Sequence, residues 1–294
     1  MSDPEPPPPI VAGLPQEIAD GIYVVPDNRV PLVPNVGIVL GRDTTLVVDT
    51  AMGPVNGARV LQMAQELGGA RPVVLTITHF HPEHGFGAQE FRAATIVYNR
   101  AQLDELHEKG TAYLGMFRTF GDTVAAQLEG VELVEPHETY DTDLHELDLG
   151  GRTIELRTWG LAHTRGDQVV FVPDQGVLFA GDLVEERCFA IFPYFPPDDV
   201  DVDGERWIAV LEQLEALEPR VVVPGHGAVG GPSIITEART YITLLRDETR
   251  RLKAEGATID AAVEQLDASM RALHPDWAQP EWIGFGARHF YDAQ

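Results

Sequence analysis

Lysine is almost missing from this chain. Lys109 and Lys253 are the only two, and arginine supplies the rest of 21 basic residues set against 46 acidic ones. The formal net charge is -25 over 294 residues. A surface so acidic repels phosphate backbones, which argues against a nucleic-acid partner. Cysteine is nearly absent too: Cys188 stands alone, so no intrachain disulfide can form, in keeping with a reducing compartment. No run approaches the roughly 18 apolar residues that span a bilayer, which excludes a membrane-spanning helix. The opening residues, Met1 to Pro9, offer neither a basic segment nor an apolar one of the kind that directs export. The expectation is a cytoplasmic protein whose partner is neither nucleic acid nor a membrane.

What is present is a chain with 44% hydrophobic residues, rich in short apolar runs. Residues 1–15 are proline-rich and read as a disordered, extended tail. Residues 16–294 read as a single domain, with a helical extension from about residue 232. Strands are expected at Ile22–Val25, Val36–Leu40 and Thr45–Asp49, the last two as a hairpin about Gly41-Arg42-Asp43. Apolar spacing predicts a helix over 54–68, closed by Gly68-Gly69. Strands follow at 72–78 and 95–98. From 99 to 128 the pattern is helical but broken by Gly110 and Gly115. Tyr113, Met116, Phe117 and Phe120 there suit either a helical pair over the sheet or a lid facing a pocket. Residues 131–134, 144–149, 153–156, 168–172 and 176–180 all read as strands. Helices are expected at 204–217, 233–254 and 258–273, then a tail bearing Trp277, Trp282, Phe285 and Tyr291. Two strand-rich halves with helices between them suggest two sheets face to face, helices outside.

The densest chemistry lies in Thr78-His79-Phe80-His81-Pro82-Glu83-His84-Gly85, directly after an apolar strand. Alternation puts His79 and His81 on one side of an extended segment, and Pro82 turns the chain so that Glu83 and His84 approach from another. His163, Asp182 in Gly181-Asp182, and His226 in Gly225-His226-Gly227 share the same context, a strand end or a glycine turn. Strand ends converge at one sheet edge, and the glycines let backbone come close to an ion. Five histidines and two carboxylates exceed what one tetrahedral zinc takes and suit two divalent ions sharing a bridging group. Nitrogen and carboxylate donors without thiolate suit zinc, iron or manganese, and the donor set does not choose among them. Asp49 closes an apolar strand at the same end of the sheet, either as a turn former or as acceptor for a ligand histidine.

This motif order resembles the metallo-β-lactamase-fold hydrolase superfamily over roughly residues 17–230. The resemblance implies an α/β fold, a four-layer αββα sandwich of two mixed sheets. It implies that His79, His81 and His163 hold one metal, His84 and His226 a second, and that Asp182 bridges. It further implies hydrolysis by metal-bound hydroxide, zinc being the expected metal. Glu83 departs from the aspartate usual at its position, which leaves two ions, or one with a weak second site, as the alternatives. Glu83 is also the candidate proton donor to the leaving group.

Around this centre, Met52, Phe86, Phe192, Tyr194 and Phe195 are candidates for an apolar pocket wall, against ordinary packing between loop and core. Arg165 either meets an anionic substrate group or pairs with Asp167 or a neighbouring acid. Cys188 reads as a buried structural thiol, and His107, His137, His145, His274 and His289 as surface or packing histidines. The expected substrate is a small carbonyl-containing molecule: thioester, ester, lactone or β-lactam. A phosphodiesterase or nuclease, a mono-iron oxygenase and a non-hydrolytic metal-binding protein are the competing readings.

Overall fold

A computed structural model describes residues 7–293. Residues 1–6 of the proline-rich tail lie outside the described residues. The tail was expected to run free to residue 15, but part of it is docked. Val11 is buried, its N–H donates to Asn56 Oδ1 (2.9 Å), and Asn56 Nδ2 donates to Pro9 O (2.8 Å). A buried amide side chain that satisfies two backbone groups explains why the packed chain starts before residue 16.

Twelve strands among the described residues form two mixed sheets. The first contains, in spatial order, β1 (Gln16–Ala19), β2 (Ile22–Val25), β3 (Val36–Leu40), β4 (Thr45–Val48), β5 (Val73–Thr76), β6 (Thr95–Asn99) and β7 (Glu138–Tyr140). Its early half is antiparallel; from β4 onward the pairs are parallel. The second sheet runs β12 (Val221–Pro224), β11 (Val177–Gly181), β10 (Val169–Val172), β9 (Thr153–Arg157), β8 (Leu144–Asp148), with only β11 and β12 parallel. Helices are α1 (Gly53–Gly68), α2 (Pro82–Gly85), α3 (Arg100–Phe117), α4 (Asp122–Gln127), α5 (Gly204–Ala216), α6 (Ser233–Ala254), α7 (Ile259–Leu273) and α8 (Trp282–Asp292).

Three apolar clusters give the layer order. Ile22, Val24, Val39, Leu46, Val170, Val172, Phe179 and Val223 meet between the sheets. Val60, Ala64, Leu106 and Tyr113 of α1 and α3 pack against Ile38, Val47 and Leu75 on the outer face of the first sheet. Trp207, Leu211, Ile235, Tyr241, Leu266 and Phe290 of α5 to α8 pack with Val169, Leu178 and Val222 of the second. This is the four-layer αββα sandwich. Among the described residues no helix is long and apolar enough to cross a membrane.

Several elements differ from expectation: β1 and β7 are additional strands, and α3 runs unbroken through Gly110 and Gly115. Residues 131–134 form no strand: Val131, Leu133 and Val134 pack over the α1/α3 layer, and β6 takes its edge partner from β7 instead. The aromatic tail is helical from Trp282. Gly284 and Gly286 disguise it in the sequence, but Gly286 brings the helix against Leu245 and Phe192, where an added Cβ would come within 2.7 and 2.9 Å.

Candidate metal centre

The chain delivers its ligands from strand ends. His79 and His81 lie just past β5, His84 and Glu83 on the short helix α2, His163 between β9 and β10, Asp182 one residue beyond β11, and His226 two residues beyond β12. Gly181 takes a φ of +54° at the end of β11. Gly225 lies so close to Asp182 that a Cβ there would come within 1.9 Å of Asp182 Oδ1. Glycine is required at that approach.

The seven residues form two groups that share Asp182: His79, His81, His163 and Asp182, and Glu83, His84, Asp182 and His226. Within each, the candidate donor atoms lie within 4.8 Å of one another. His81 Nδ1 is 3.0 Å from His79 Nε2 and 3.3 Å from His163 Nε2, and both of those nitrogens are 3.9 Å from Asp182 Oδ2. His84 Nε2 and His226 Nε2 lie 3.2 and 3.7 Å from Asp182 Oδ1. Donors about 2 Å from a tetrahedral ion are about 3.3 Å apart, so these spacings match ligand edges. Asp182 thus turns one oxygen to each group.

The wiring behind the ligands fixes which nitrogen is free. His163 Nδ1 donates to Ile191 O (2.9 Å) and His226 Nδ1 to Val33 O (3.0 Å), which leaves each Nε2 lone pair inward. His84 Nδ1 faces Asp49 Oδ2 at 2.9 Å. Asp49 also accepts from Thr78 N (2.7 Å) and Thr78 Oγ1 (2.9 Å), and that hydroxyl stands 3.1 Å from His79 Nδ1. Of the two readings of Asp49, the geometry is that of the acceptor behind His84. Its backbone is held at a φ of 68°, costly for a non-glycine residue and set by these bonds.

Buried polar atoms normally find partners. Here Glu83 Oε2, His84 Nε2 and both oxygens of Asp182 are buried with no hydrogen-bond partner among the described residues. Unpaired donors and acceptors aimed at common points fit a pair of cations. Electrostatics agrees for four of the five histidines. Burial, helped by neighbouring imidazoles, holds His79 and His81 well below the usual range, and burial takes His163 down to about 4 and lowers His226. These rings are neutral near pH 7, as ligation requires. Burial opposes charge on His84 and Asp182 alike. Asp182 and Asp49 outweigh it and keep His84 well above its range, while His84 and His226 keep Asp182 well below. Burial pushes Glu83 up to about 7.

A narrow cleft of about 70 Å³ opens from His81 and Glu83. One wall is Tyr113, Met116, Phe117 and Phe120; the other is Ile191, Pro193 and Phe195 with Gln279 and Trp282, and Leu32 also lines it. Tyr113 stacks on His81, ring centres 5.2 Å apart. Helix α3 therefore both covers the sheet and faces the cleft.

Phe195 is the one residue of the expected wall that lines this cleft. Met52, Phe86 and Phe192 are fully packed in the core instead, Phe192 against Trp207 and Phe290. Tyr194 donates to Asp292 Oδ2 (3.0 Å) and is turned away. Arg165 is turned to Glu105, Glu108 and Asp201, not to the centre. Asp167 instead accepts from His163 N, Thr164 N and Thr164 Oγ1, shaping the ligand turn. Cys188 is buried, its thiol raised by burial and then by Glu185. His107 pairs with Glu135 at the surface, and His274 stacks on Trp277.

Thr78, Asp167, Gln279 and Trp282 were not singled out for the site, whereas Tyr113, Met116, Phe117 and Phe120 line the cleft as the lid reading expects. Thr78 adjoins the first histidine and Asp167 lies four residues after His163; a search for partners beside each ligand finds both. Gln279 and Trp282 carry no such local signal.

Known proteins share this architecture. The chain is 21% identical over 236 residues to the type 2 metallo-beta-lactamase of Bacteroides fragilis, covering 79% of this chain and 81% of that one. The metallo-beta-lactamase from Pontibacter korlensis superposes with a TM-score of 0.60 at 19% identity, over 78% of this chain and 98% of the other. The stereoselective inverting sec-alkylsulfatase Pisa1 from Pseudomonas sp. gives a TM-score of 0.75 at 16% identity, over 95% of this chain but 50% of its own length. Residues 29–226, which contain all seven ligand candidates, match the metallo-beta-lactamase superfamily, and the chain belongs to it.

Proposed function

We propose that the protein is a binuclear metal-dependent hydrolase, zinc being the expected metal, acting on a small carbonyl substrate: thioester, ester, lactone or β-lactam. The observation that carries this reading is the pair of four-residue ligand groups sharing Asp182. His79, His81 and His163 would hold one ion; His84, His226 and Glu83 the other. Divalent metal bound there lowers the pKa of coordinated water toward about 7 and polarises a substrate carbonyl. The chain supplies the rest. The carbonyls of Ile191 and Val33, and the carboxylate of Asp49, hold the imidazoles in fixed tautomers. Tyr113, Phe117 and Ile191 exclude water from the approach. Glu83 belongs to the second ligand group and also lines the cleft, which supports reading its carboxyl as the candidate proton donor to the departing atom.

The likeness to the alkylsulfatase over 95% of the chain favours one second reading, hydrolysis of a sulfate ester. Zinc-loaded protein assayed on a thioester, a lactone, a carboxylic ester, a β-lactam, an alkyl sulfate and a phosphodiester separates the two. Turnover of a carbonyl substrate, abolished by Asp182→Ala, is expected. Turnover of the sulfate alone moves the assignment to the second reading, and a near-normal rate in Asp182→Ala removes the mechanism.

A further inference from the structure

The two cleft walls differ from the ligand groups in origin and in chemistry. Gln279 and Trp282 come from the segment leading into α8, beyond residues 29–226 that define the family. That segment is tied to the loop that follows Asp182. Ala278 N donates to Arg187 O (2.9 Å), Phe189 N donates to Ala278 O (3.1 Å), and Cys188 and Ala278 form a parallel bridge. Trp282 Nε1 donates to Gln279 Oε1 (3.0 Å), and its ring packs on Phe285 and Phe195, centres 5.0 and 6.2 Å away. Ile283 anchors the next position fully in the core. The wall is held in place by the fold.

No lysine or arginine occurs among the described residues that line the cleft. Lys109, close enough to Phe80 to lie 5.6 Å from its ring centre, is already engaged by Glu105 (3.3 Å), Asp199 (2.9 Å) and Asp201 (2.8 Å). An anionic arm entering here would lose water without gaining a counter-charge, in a chain of net charge -25. An alkyl or aryl arm would be covered by Phe117, Phe120, Phe195 and Trp282.

We infer that this cleft is the specificity site, and that it selects substrates whose scissile carbonyl carries a neutral apolar arm while rejecting those with a carboxylate on that arm. Trp282 and Phe120 are its specificity-determining residues. The inference rests on the carbonyl-hydrolase reading for the reaction but on the cleft alone for the arm.

Zinc-loaded full-length protein is assayed on neutral p-nitrophenyl acyl esters from acetyl to octanoyl, and on an ester of matching length ending in a carboxylate. Burying each methylene predicts a rise in kcat/KM of about fourfold until the cleft is filled. The terminal carboxylate lowers kcat/KM about tenfold or more, as a buried unpaired charge must. Trp282→Ala flattens the chain-length dependence, and Phe120→Lys, at a position 47% exposed, recovers the carboxylate-bearing ester. Binding of unreactive alkyl amides of the same lengths, read by titration calorimetry, gives a measure free of turnover. Amide affinity that rises with chain length and falls in Trp282→Ala, with no ester cleaved, keeps the inference and defeats the carbonyl-hydrolase reading. Ester cleavage indifferent to chain length, with no amide preference, does the reverse. Equal turnover of the charged and neutral esters also overturns the inference.

Discussion

Burial removes water from both oxygens of Asp182, and among the described residues neither has a hydrogen-bond partner; the His84 and His226 imidazoles stand 3.2 and 3.7 Å from Oδ1, a spacing that a shared cation fills. Asp49 works one step behind. It accepts from Thr78 twice and faces His84 Nδ1, so it sets the orientation of one ligand and braces the backbone beside another. Asp49→Asn keeps the size and loses the charge behind His84. Zinc affinity of the second group is expected to fall about 10- to 100-fold, measured by competition with a chelating dye, while the first group keeps its metal. Unchanged affinity at both groups would show that Asp49 serves only the turn. At this scale the sequence was informative where chemistry is local. All seven ligand candidates stand beside strand-ending or glycine signals, because a strand end is where a side chain can leave the sheet toward an ion. The cleft residues carry a weaker mark, since an aromatic side chain has the same letter whether it faces a cleft, like Phe195, or the core, like Phe192.

Among the elements, α3 joins centre and cleft. Lys109, on its inner turns, is bound by Glu105 of the same helix and by Asp199 and Asp201 of the loop before α5; Tyr113, one turn on, donates to Asp199 Oδ2 (2.8 Å). This is how the aromatic loop is held against α3. Lys109→Met preserves the aliphatic stem and takes the ammonium away from Glu105, fully buried, and Asp199, nearly so, which keep as donors the N–H groups of Arg165 and Gly166 and the Tyr113 hydroxyl. A loss of about 3 kcal/mol in urea unfolding is expected, near the low end for a broken buried pair because Asp201 is half-exposed. A change under about 0.5 kcal/mol would mean that the network is solvated. Helix α8 buries Ile283, Ala287 and Phe290 against α5 and α6. Phe290→Ala should cost about 3–5 kcal/mol by the same measurement. Stability within about 0.5 kcal/mol of the parent would show that α8 is dispensable to the core. The helix was hidden in the sequence by glycines whose role is close packing, as at Gly286 beside Phe192. Residues 131–134 misled in the other direction: an apolar run of strand-like residues becomes a strand only where an edge is open to pair with it, and β7 occupies that edge.

Across the whole molecule, two sheets and their outer helices bring the segments after β5, β9, β11 and β12, far apart in the chain, to one end of the sandwich. Two ligand groups at that end meet in a single carboxylate, and the cleft opens beside them. Glu83, longer than the aspartate expected at its position, still stands within the second group, which is the reason to expect two metals and not one. The central claim is therefore a stoichiometry. Protein stripped with a chelator, reconstituted with excess zinc and desalted, is measured by elemental analysis alongside its protein concentration. About two zinc ions per chain is the expected result; a firm value of one after saturation would contradict the binuclear centre.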